Sequence, residues 1–430
     1  MLAEKGQPEL IIEAFAVAIQ NQIFALNERD FTVGISTCGR SKLWQDACWL
    51  LHEMPEARTK KNAFAYNAAI SACQMGAQWQ QALNLFDSMP QAKVAPDVIS
   101  YNATMSACEK GGQWQQALDL FVSMPKAKVA PTVISYSAAI SACEKGSEWQ
   151  QGLNLFEGMQ KAKVTPNVIS YNAAISASEK GGEWQQALNV FEAMLKAKVV
   201  PDVISYSAAI SACEKGGEWQ KALKLFEAML KATVAANVFS YNANISACEK
   251  GGQWQQALNL FEEMPKATVA ADVISYSATI SACEKGGQWQ QALNLFEAMP
   301  RAKLLPNIVT YNALLDCREI GCSKSLGGHI FQHGLLRILR GSSVFEDLQV
   351  DLHDQSEGAA RLTLQWWLST TVAKRLEVRD RLDCIVVTGY GKSRQAWDRT
   401  NVQAAALDLL LKGLKLDAQI LRGNLVTLKD

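Results

Sequence analysis

The sequence has no excess of charge of either sign: 42 Lys and Arg face 42 Asp and Glu. A nucleic-acid binder held by bulk phosphate contacts is usually basic, so this balance argues against that mode. It leaves room for a protein that meets bases one at a time. No apolar run approaches the ~18 residues a membrane span needs, so no membrane partner is expected. No CxxC occurs among the eleven cysteines, which removes the usual zinc-ribbon and redox spacings. The first 27 residues are neither Arg-rich nor Ser-rich, so no transit peptide is visible.

What is present is repetition. Tyr66, Tyr101, Tyr136, Tyr171, Tyr206, Tyr241, Tyr276 and Tyr311 are 35 residues apart, as are Trp44, Trp79, Trp114, Trp149, Trp184, Trp219, Trp254 and Trp289. A fixed period of this length marks a solenoid. Within the block 98–132, Val98, Tyr101, Met105 and Cys108 lie on one helical face, and Asp97 is a good N-cap. Gly111 and Gly112 break the pattern. A second helix carries Trp114, Ala117, Leu118, Phe121 and Met124, and Pro125 and Pro131 are expected to punctuate its exit. Two such helices cannot bury their apolar faces alone, so stacking on neighbours is required. Seven cysteines (Cys38, Cys73, Cys108, Cys143, Cys213, Cys248, Cys283) share one position of the period with Ser178. They read as small core residues of an intracellular or organellar protein, not as disulfides.

The period, the V-I-S-Y-N or V-I-S-Y-S opening and the A-L-x-L-F-x-x-M run resemble the pentatricopeptide repeat family, over residues 28–342. Trp114 and its equivalents depart from the family's more aliphatic choice, which is not expected to change the architecture. Residues 1–27 read as a partial N-terminal repeat carried by Leu10, Ile11, Ala14, Phe15 and Ala18. The resemblance implies an all-α solenoid of eight to nine helical hairpins, most often in a chloroplast or mitochondrion. It implies a single-stranded RNA partner, bound one nucleotide per repeat by a monomer. The organelle follows from family alone, and the sequence start reads as a possible truncation.

Two polar positions vary from repeat to repeat. The first follows the Tyr: Thr32, Asn67, Asn102, Ser137, Asn172, Ser207, Asn242, Ser277. The second ends the repeat: Asn62, Asp97, Thr132, Asn167, Asp202, Asn237, Asp272, Asn307. In the family these two positions select the base. The resemblance implies that Ser with Asn, and Thr with Asn, read A; that Asn with Asp reads U; and that Asn102 with Thr132 reads a pyrimidine. The expected target is A-U-Y-A-U-A-U-A. The residues ending the repeats would also serve as N-caps. Base reading is favoured because Ser is always followed by Asn, and Asn by Asp in three of four cases; capping alone gives no reason for that pairing. Ile99, Ile134, Ile169, Ile204, Phe239 and Ile274 are expected to pack on base faces.

The period decays after 308–314, with Lys324 where Trp is expected and Gly327-Gly328 where Ala-Leu is expected. His329 and His333 there read as packing or surface residues. Beyond it, Val350–His353, Leu382–Thr388, Ala418–Leu421 and Leu425–Leu428 read as strands alternating with two helices, a βαβαββ sandwich over 343–430. D-L-H at Asp351–His353 and T-G-x-G at Thr388–Gly391 resemble the small MutS-related (Smr) domain, some of whose carriers are similar to RNA endonucleases. The family's His in the loop is absent, since Lys392 is followed directly by Ser393. Asp351 and His353, two apart on a strand, share a face. The expected roles are Asp351 as Mg²⁺ or Mn²⁺ ligand or water-orienting group, His353 as proton carrier, Lys392 and Arg394 as charge stabilisers. Gly389, Gly391 and Ser393 would cradle a phosphate. The bland alternative makes His353 and Asp351 capping groups and the C-terminal domain a non-catalytic appendage that adds affinity. In that case the array only occludes one transcript site. A peptide-binding scaffold is the third reading, disfavoured by the Asn/Asp and Ser/Asn pairing.

Overall fold

The computed structural model describes residues 8–21, 26–307, 309–314, 349–351, 384–387, 417–421 and 425–429. The chain divides into two compact units, Met1–Gly216 and Gly217–Asp430.

In the first unit, a helix Pro8–Asn21 precedes five helical hairpins and the first helix of a sixth. The first four hairpins are Glu28–Arg40 with Trp44–Glu53, Ala63–Met75 with Trp79–Ser88, Val98–Lys110 with Trp114–Lys126, and Val133–Lys145 with Trp149–Lys161. A further pair, Val168–Lys180 with Trp184–Lys196, and the helix Val203–Lys215 complete it. In the second unit, Trp219–Lys231 precedes the pairs Val238–Lys250 with Trp254–Lys266 and Val273–Lys285 with Trp289–Arg301. Within each unit, first helices stack on first helices, and the second helix of a complete hairpin lies against its own first helix and, where the unit continues, against the first helix of the next repeat.

The caps explain the boundaries. Asp97 Oδ1 accepts the Ser100 N–H at 2.9 Å while the Asp97 N–H donates to Ser100 Oγ at 3.2 Å, a reciprocal capping box. At the far end, Gly112 N–H donates to Glu109 O at 3.2 Å and Gln113 N–H to Cys108 O at 2.8 Å, a Schellman closure. That closure requires a left-handed residue, which is Gly112 at φ +70. The second helix closes in the same way, with Lys128 at φ 61, Lys128 N–H on Pro125 O and Val129 N–H on Met124 O. Pro125 therefore does not end the helix, contrary to expectation. It sits inside the last turn, as do Pro265 and Pro300, because the closure uses carbonyls and asks nothing of the proline nitrogen.

The core repeats with the sequence. Met54, Met89, Met124, Met159, Met194, Met229, Met264 and Met299 are fully buried. The seven repeat-position cysteines are fully buried as expected. Burial pushes the thiols of Cys38, Cys108, Cys143, Cys248 and Cys283 up to about 11, so they stay protonated and inert near neutral pH. Neighbouring repeats are joined by edge-to-face aromatic pairs, such as Phe121 on Tyr136 at 4.8 Å and Phe156 on Tyr171 at 5.0 Å. Phe15 makes the corresponding contact on Phe31 at 5.2 Å, where Phe replaces Tyr.

The tryptophan departure has a structural counterpart. A Cβ on Gly76, Gly111, Gly146, Gly181, Gly216, Gly251 or Gly286 would lie under 3.0 Å from the indole of the Trp one repeat earlier. Ser41 holds this position where the residue in the Trp register is Glu9. The bulky side chain and the missing one are thus two halves of one contact.

Four strands form a separate sheet in the order β1-β2-β4-β3, with β1 Gln349–Asp351, β2 Cys384–Val387, β3 Asp417–Leu421 and β4 Leu425–Lys429. β1 and β2 are parallel, β2 and β4 antiparallel, and β3 and β4 antiparallel. The two expected intervening helices lie outside the described residues.

Candidate nucleic-acid interface

The first helix begins Val-Ile-Ser-Tyr at residues 98, 133, 168, 203 and 273, and with close variants at 63, 238 and 308, behind an N-cap; this short start builds the candidate site. The second residue faces solvent in every regular repeat. Phe64, Ile99, Ile134, Ile169, Ile204, Phe239, Ile274 and Val309 are 52% to 72% exposed. A single exposed apolar side chain needs no explanation, but a row of them at one position does. Between the helices Glu28–Arg40 and Ala63–Met75 runs an open groove of about 580 Å³, lined by Thr32, Ser36, Arg40, Phe64, Asn67, Ser71 and Ile99 among others. It brings an apolar pair, Phe64 and Ile99, to the same groove as the polar Asn67.

The two polar positions meet. Asn67 Nδ2 donates to Asp97 Oδ1 at 3.1 Å, Asn172 Nδ2 to Asp202 Oδ1 at 3.0 Å and Asn242 Nδ2 to Asp272 Oδ1 at 3.1 Å. Oδ1 of Asp202 also accepts the Ile204 and Ser205 N–H groups, at 3.0 and 2.9 Å. The cap and the amide thus load one carboxylate oxygen and leave Oδ2 with acceptor capacity. Burial opposes ionisation of Asp97, Asp202 and Asp272. The bonds from the Ser N–H, the Asn amide and the Ile N–H outweigh it and hold all three below the usual carboxylate range.

This contact changes the reading of the sequence pairing. Capping does supply a reason for Asn to accompany Asp, because the amide donates to the capping carboxylate. A Ser there has no second donor to offer, and Asn takes over the cap. Ser137 Oγ turns to Val133 O at 2.8 Å and Ser170 Oγ at 3.0 Å, while Asn167 Oδ1 accepts the Ser170 N–H at 3.0 Å. Ser277 Oγ pairs with Thr310 Oγ1 at 2.7 Å, and Asn307 Oδ1 accepts the Thr310 N–H at 3.0 Å. Ser207 ends the first unit's series and its hydroxyl oxygen has no partner among the described residues; Asn237 caps Ser240 in the second unit. In the first repeat the two positions do not meet. Thr32 Oγ1 donates to Glu28 O at 2.8 Å and Asn62 Nδ2 to Glu28 Oε2 at 2.6 Å. Asn102 and Thr132 both approach Ser135 Oγ, at 2.7 and 3.3 Å.

Sequence reasoning missed the third residue of the repeat. Ser100, Ser205 and Ser275 each donate to the Oδ1 of Asn67, Asn172 and Asn242 at 2.6 Å. The available signal was that a hydroxyl never leaves this position from Ser100 to Thr310.

The first helices end in a ladder of ion pairs. Lys145 meets Glu109 at 2.9 Å, Lys180 meets Glu144 at 3.0 Å, Lys215 meets Glu179 at 2.6 Å and Lys285 meets Glu249 at 2.8 Å. Each Lys reaches back one repeat, so the overall charge balance is also local.

The backbone of Asp351 closes β1. His353, Lys392, Arg394, Gly389, Gly391 and Ser393 lie outside the described residues. Among the described residues no group of three or more His, Cys, Asp or Glu is placed to hold Mg²⁺ or Mn²⁺. No helix among them is long and apolar enough to cross a membrane.

Models of the PPR repeat family match residues 61–110, 96–145, 134–164, 166–215, 201–248, 236–285 and 271–318, more than half of the chain. The chain belongs to the PPR repeat family. Among solved structures it is similar to the pentatricopeptide repeat protein PPR10 from maize, at 21% identity and a TM-score of 0.54, covering 96% of this chain and 56% of that one. It is also similar to PPR10 in complex with an 18-nt psaJ RNA element, at 18% identity and a TM-score of 0.57, covering 87% and 57%. The chain thus spans little more than half the length of these PPR proteins. No curated protein matches it in sequence.

Proposed function

We propose that this PPR chain binds single-stranded RNA sequence-specifically, one nucleotide per repeat, with A-U-Y-A-U-A-U-A running 5′ to 3′ from repeat 28–62 to repeat 273–307. The observation that carries the reading is that the Asn–Asp pairs share their helix starts with solvent-facing apolar residues, and that Asn67, Phe64 and Ile99 line one groove. A uracil held between Ile169 and Ile204 would give its N3–H to Asp202 Oδ2, and its O4 would accept the second hydrogen of Asn172 Nδ2. Adenine offers an acceptor, N1, where uracil offers a donor, and a carboxylate repels it. Asn167, whose Oδ1 is taken by the cap, would offer its amide donors instead and so suit adenine. Occupied PPR10 supports the partner class, and a chloroplast or mitochondrial monomer is the setting this family suggests. Competition at fixed salt between the octamer and shuffled octamers of the same composition tests the reading. Ordered preference is expected; equal competition by all, or tighter binding of peptides than RNA, overturns it.

Residues 343–430 extend the proposal. Their parallel β1–β2 pair followed by the β4–β3 hairpin is the order a βαβαββ Smr-like domain would have. On that reading Asp351 orients a water and His353 moves a proton beside the Gly389–Gly391 loop, with Lys392 or Arg394 opposite the phosphate. RNA carrying the octamer and a 3′ flank should then be cut slowly with Mg²⁺ or Mn²⁺ by the wild type, and not by Asp351→Asn or His353→Ala. Intact RNA after hours leaves the domain as a binding appendage.

A further inference from the structure

We propose that the hydroxyl at the third position of a repeat sets the base specificity of the repeat before it, by fixing which way that repeat's reading amide faces. The inference rests on the base reading proposed above and adds a residue to it.

Consider Asn172, Asp202 and Ser205. An asparagine side chain fits one space in two orientations, with oxygen and nitrogen exchanged. Here only one is satisfied. Ser205 Oγ donates to Asn172 Oδ1 at 2.6 Å, and Asn172 Nδ2 donates to Asp202 Oδ1 at 3.0 Å. Exchanging the two ends would set the amide oxygen against an ionised carboxylate. The serine has one proton, and the shorter contact takes it, since Asp202 Oδ1 stands farther off at 3.0 Å and already receives two backbone N–H groups. Its oxygen in turn accepts the Asp202 N–H at 3.1 Å. Ser205 is fully buried, so it meets no ligand and is a positioning residue.

The arrangement recurs wherever the reading residue is Asn. Ser100 holds Asn67 and Ser275 holds Asn242 at 2.6 Å, and Ser135 holds Asn102 at 2.7 Å. Where the reading residue is Ser277, Thr310 takes the role at 2.7 Å, so the site admits a methyl group beside the hydroxyl. A repeat is then read by three residues, two of which lie at or just beyond its end. Deleting the hydroxyl frees the amide. The carboxylate keeps its two backbone donors.

The test uses the full chain and RNAs differing only at the nucleotide facing repeat 168–202, with U, C or A there, and a second set varied at the nucleotide facing repeat 63–97. In the wild type both nucleotides should show a U preference. In Ser205→Ala the preference facing 168–202 should fall about tenfold, that facing 63–97 should hold, and Ser205→Thr should restore the first. If Ser205→Ala fails to fold, Ser205→Cys, near in size and a weaker donor, is read the same way and should lose preference at the one nucleotide. Preference retained in the folded Ala or Cys variant, or lost equally at both nucleotides, overturns the inference while leaving base reading intact. A wild type with no preference at either nucleotide removes base reading itself.

Discussion

The indole of Trp79 lies so close to Gly111 that a Cβ on the glycine would fall under 3.0 Å from it. The contact joins the second helix of one repeat to the first helix of the next, and its strength can be measured. Gly111→Ala should destabilise the chain by about 1–3 kcal/mol through overpacking. Trp79→Leu, which removes the obstructing ring, should make the same glycine change far milder. Thermal or urea unfolding of the two single variants and the double variant gives the coupling. Additive losses would show that the glycine is there for its backbone alone.

The polar pair of repeat 168–202 can be exchanged. Asn172→Ser with Asp202→Asn should convert that repeat from U to A, a change of about 1–3 kcal/mol in discrimination at one nucleotide. Asn172→Ser alone should weaken binding to either base, because Asp202 then keeps its charge and loses its amide donor. Competition with RNAs varied at that nucleotide checks both, and an unchanged preference in the double variant would reduce the pair to a helix cap.

The three capping aspartates predict a pH profile. Asp97, Asp202 and Asp272 are held below their unfolded value of about 3.9. A lowered folded value means that their contribution to stability is complete above the unfolded value and is lost as pH falls through the folded ones. Unfolding midpoints should therefore fall in acid below about pH 4. Asp202→Asn should flatten that part of the curve.

The ion-pair ladder predicts a weak dependence of binding on salt. Each of Lys145, Lys180, Lys215 and Lys285 is already paired with a glutamate, so RNA binding releases fewer counterions than an unpaired row of lysines would. Glu144→Gln frees Lys180 and should steepen the slope of log K against log salt by up to about 0.7. A slope unchanged in that variant places these lysines away from the phosphates.

Much of this was legible from the sequence, for one reason. At thirty-five residues of separation or seventy, the same letters return, so Tyr101, Met124 and Cys108 announce their environment by their spacing. The Asn/Asp positions were legible in the same way, as the few letters that vary. Ser205 was not, because a position that keeps its hydroxyl from Ser100 to Thr310 beside others that vary looks like background. Its role appears only when the next repeat folds against Asn172 and brings the hydroxyl to the amide. Pro125 misled for the opposite reason: a strong local signal was overruled by the carbonyl bonds that close the turn around Lys128.

The contacts between neighbouring repeats are nearly interchangeable: Phe121 on Tyr136 differs little from Phe156 on Tyr171. An in-frame loss or duplication of one 35-residue block therefore rejoins surfaces that already fit. Such a chain can lengthen or shorten by whole units while the contacts that remain stay of the same kind. Its recognised sequence would then evolve by gaining and losing letters as well as by changing them.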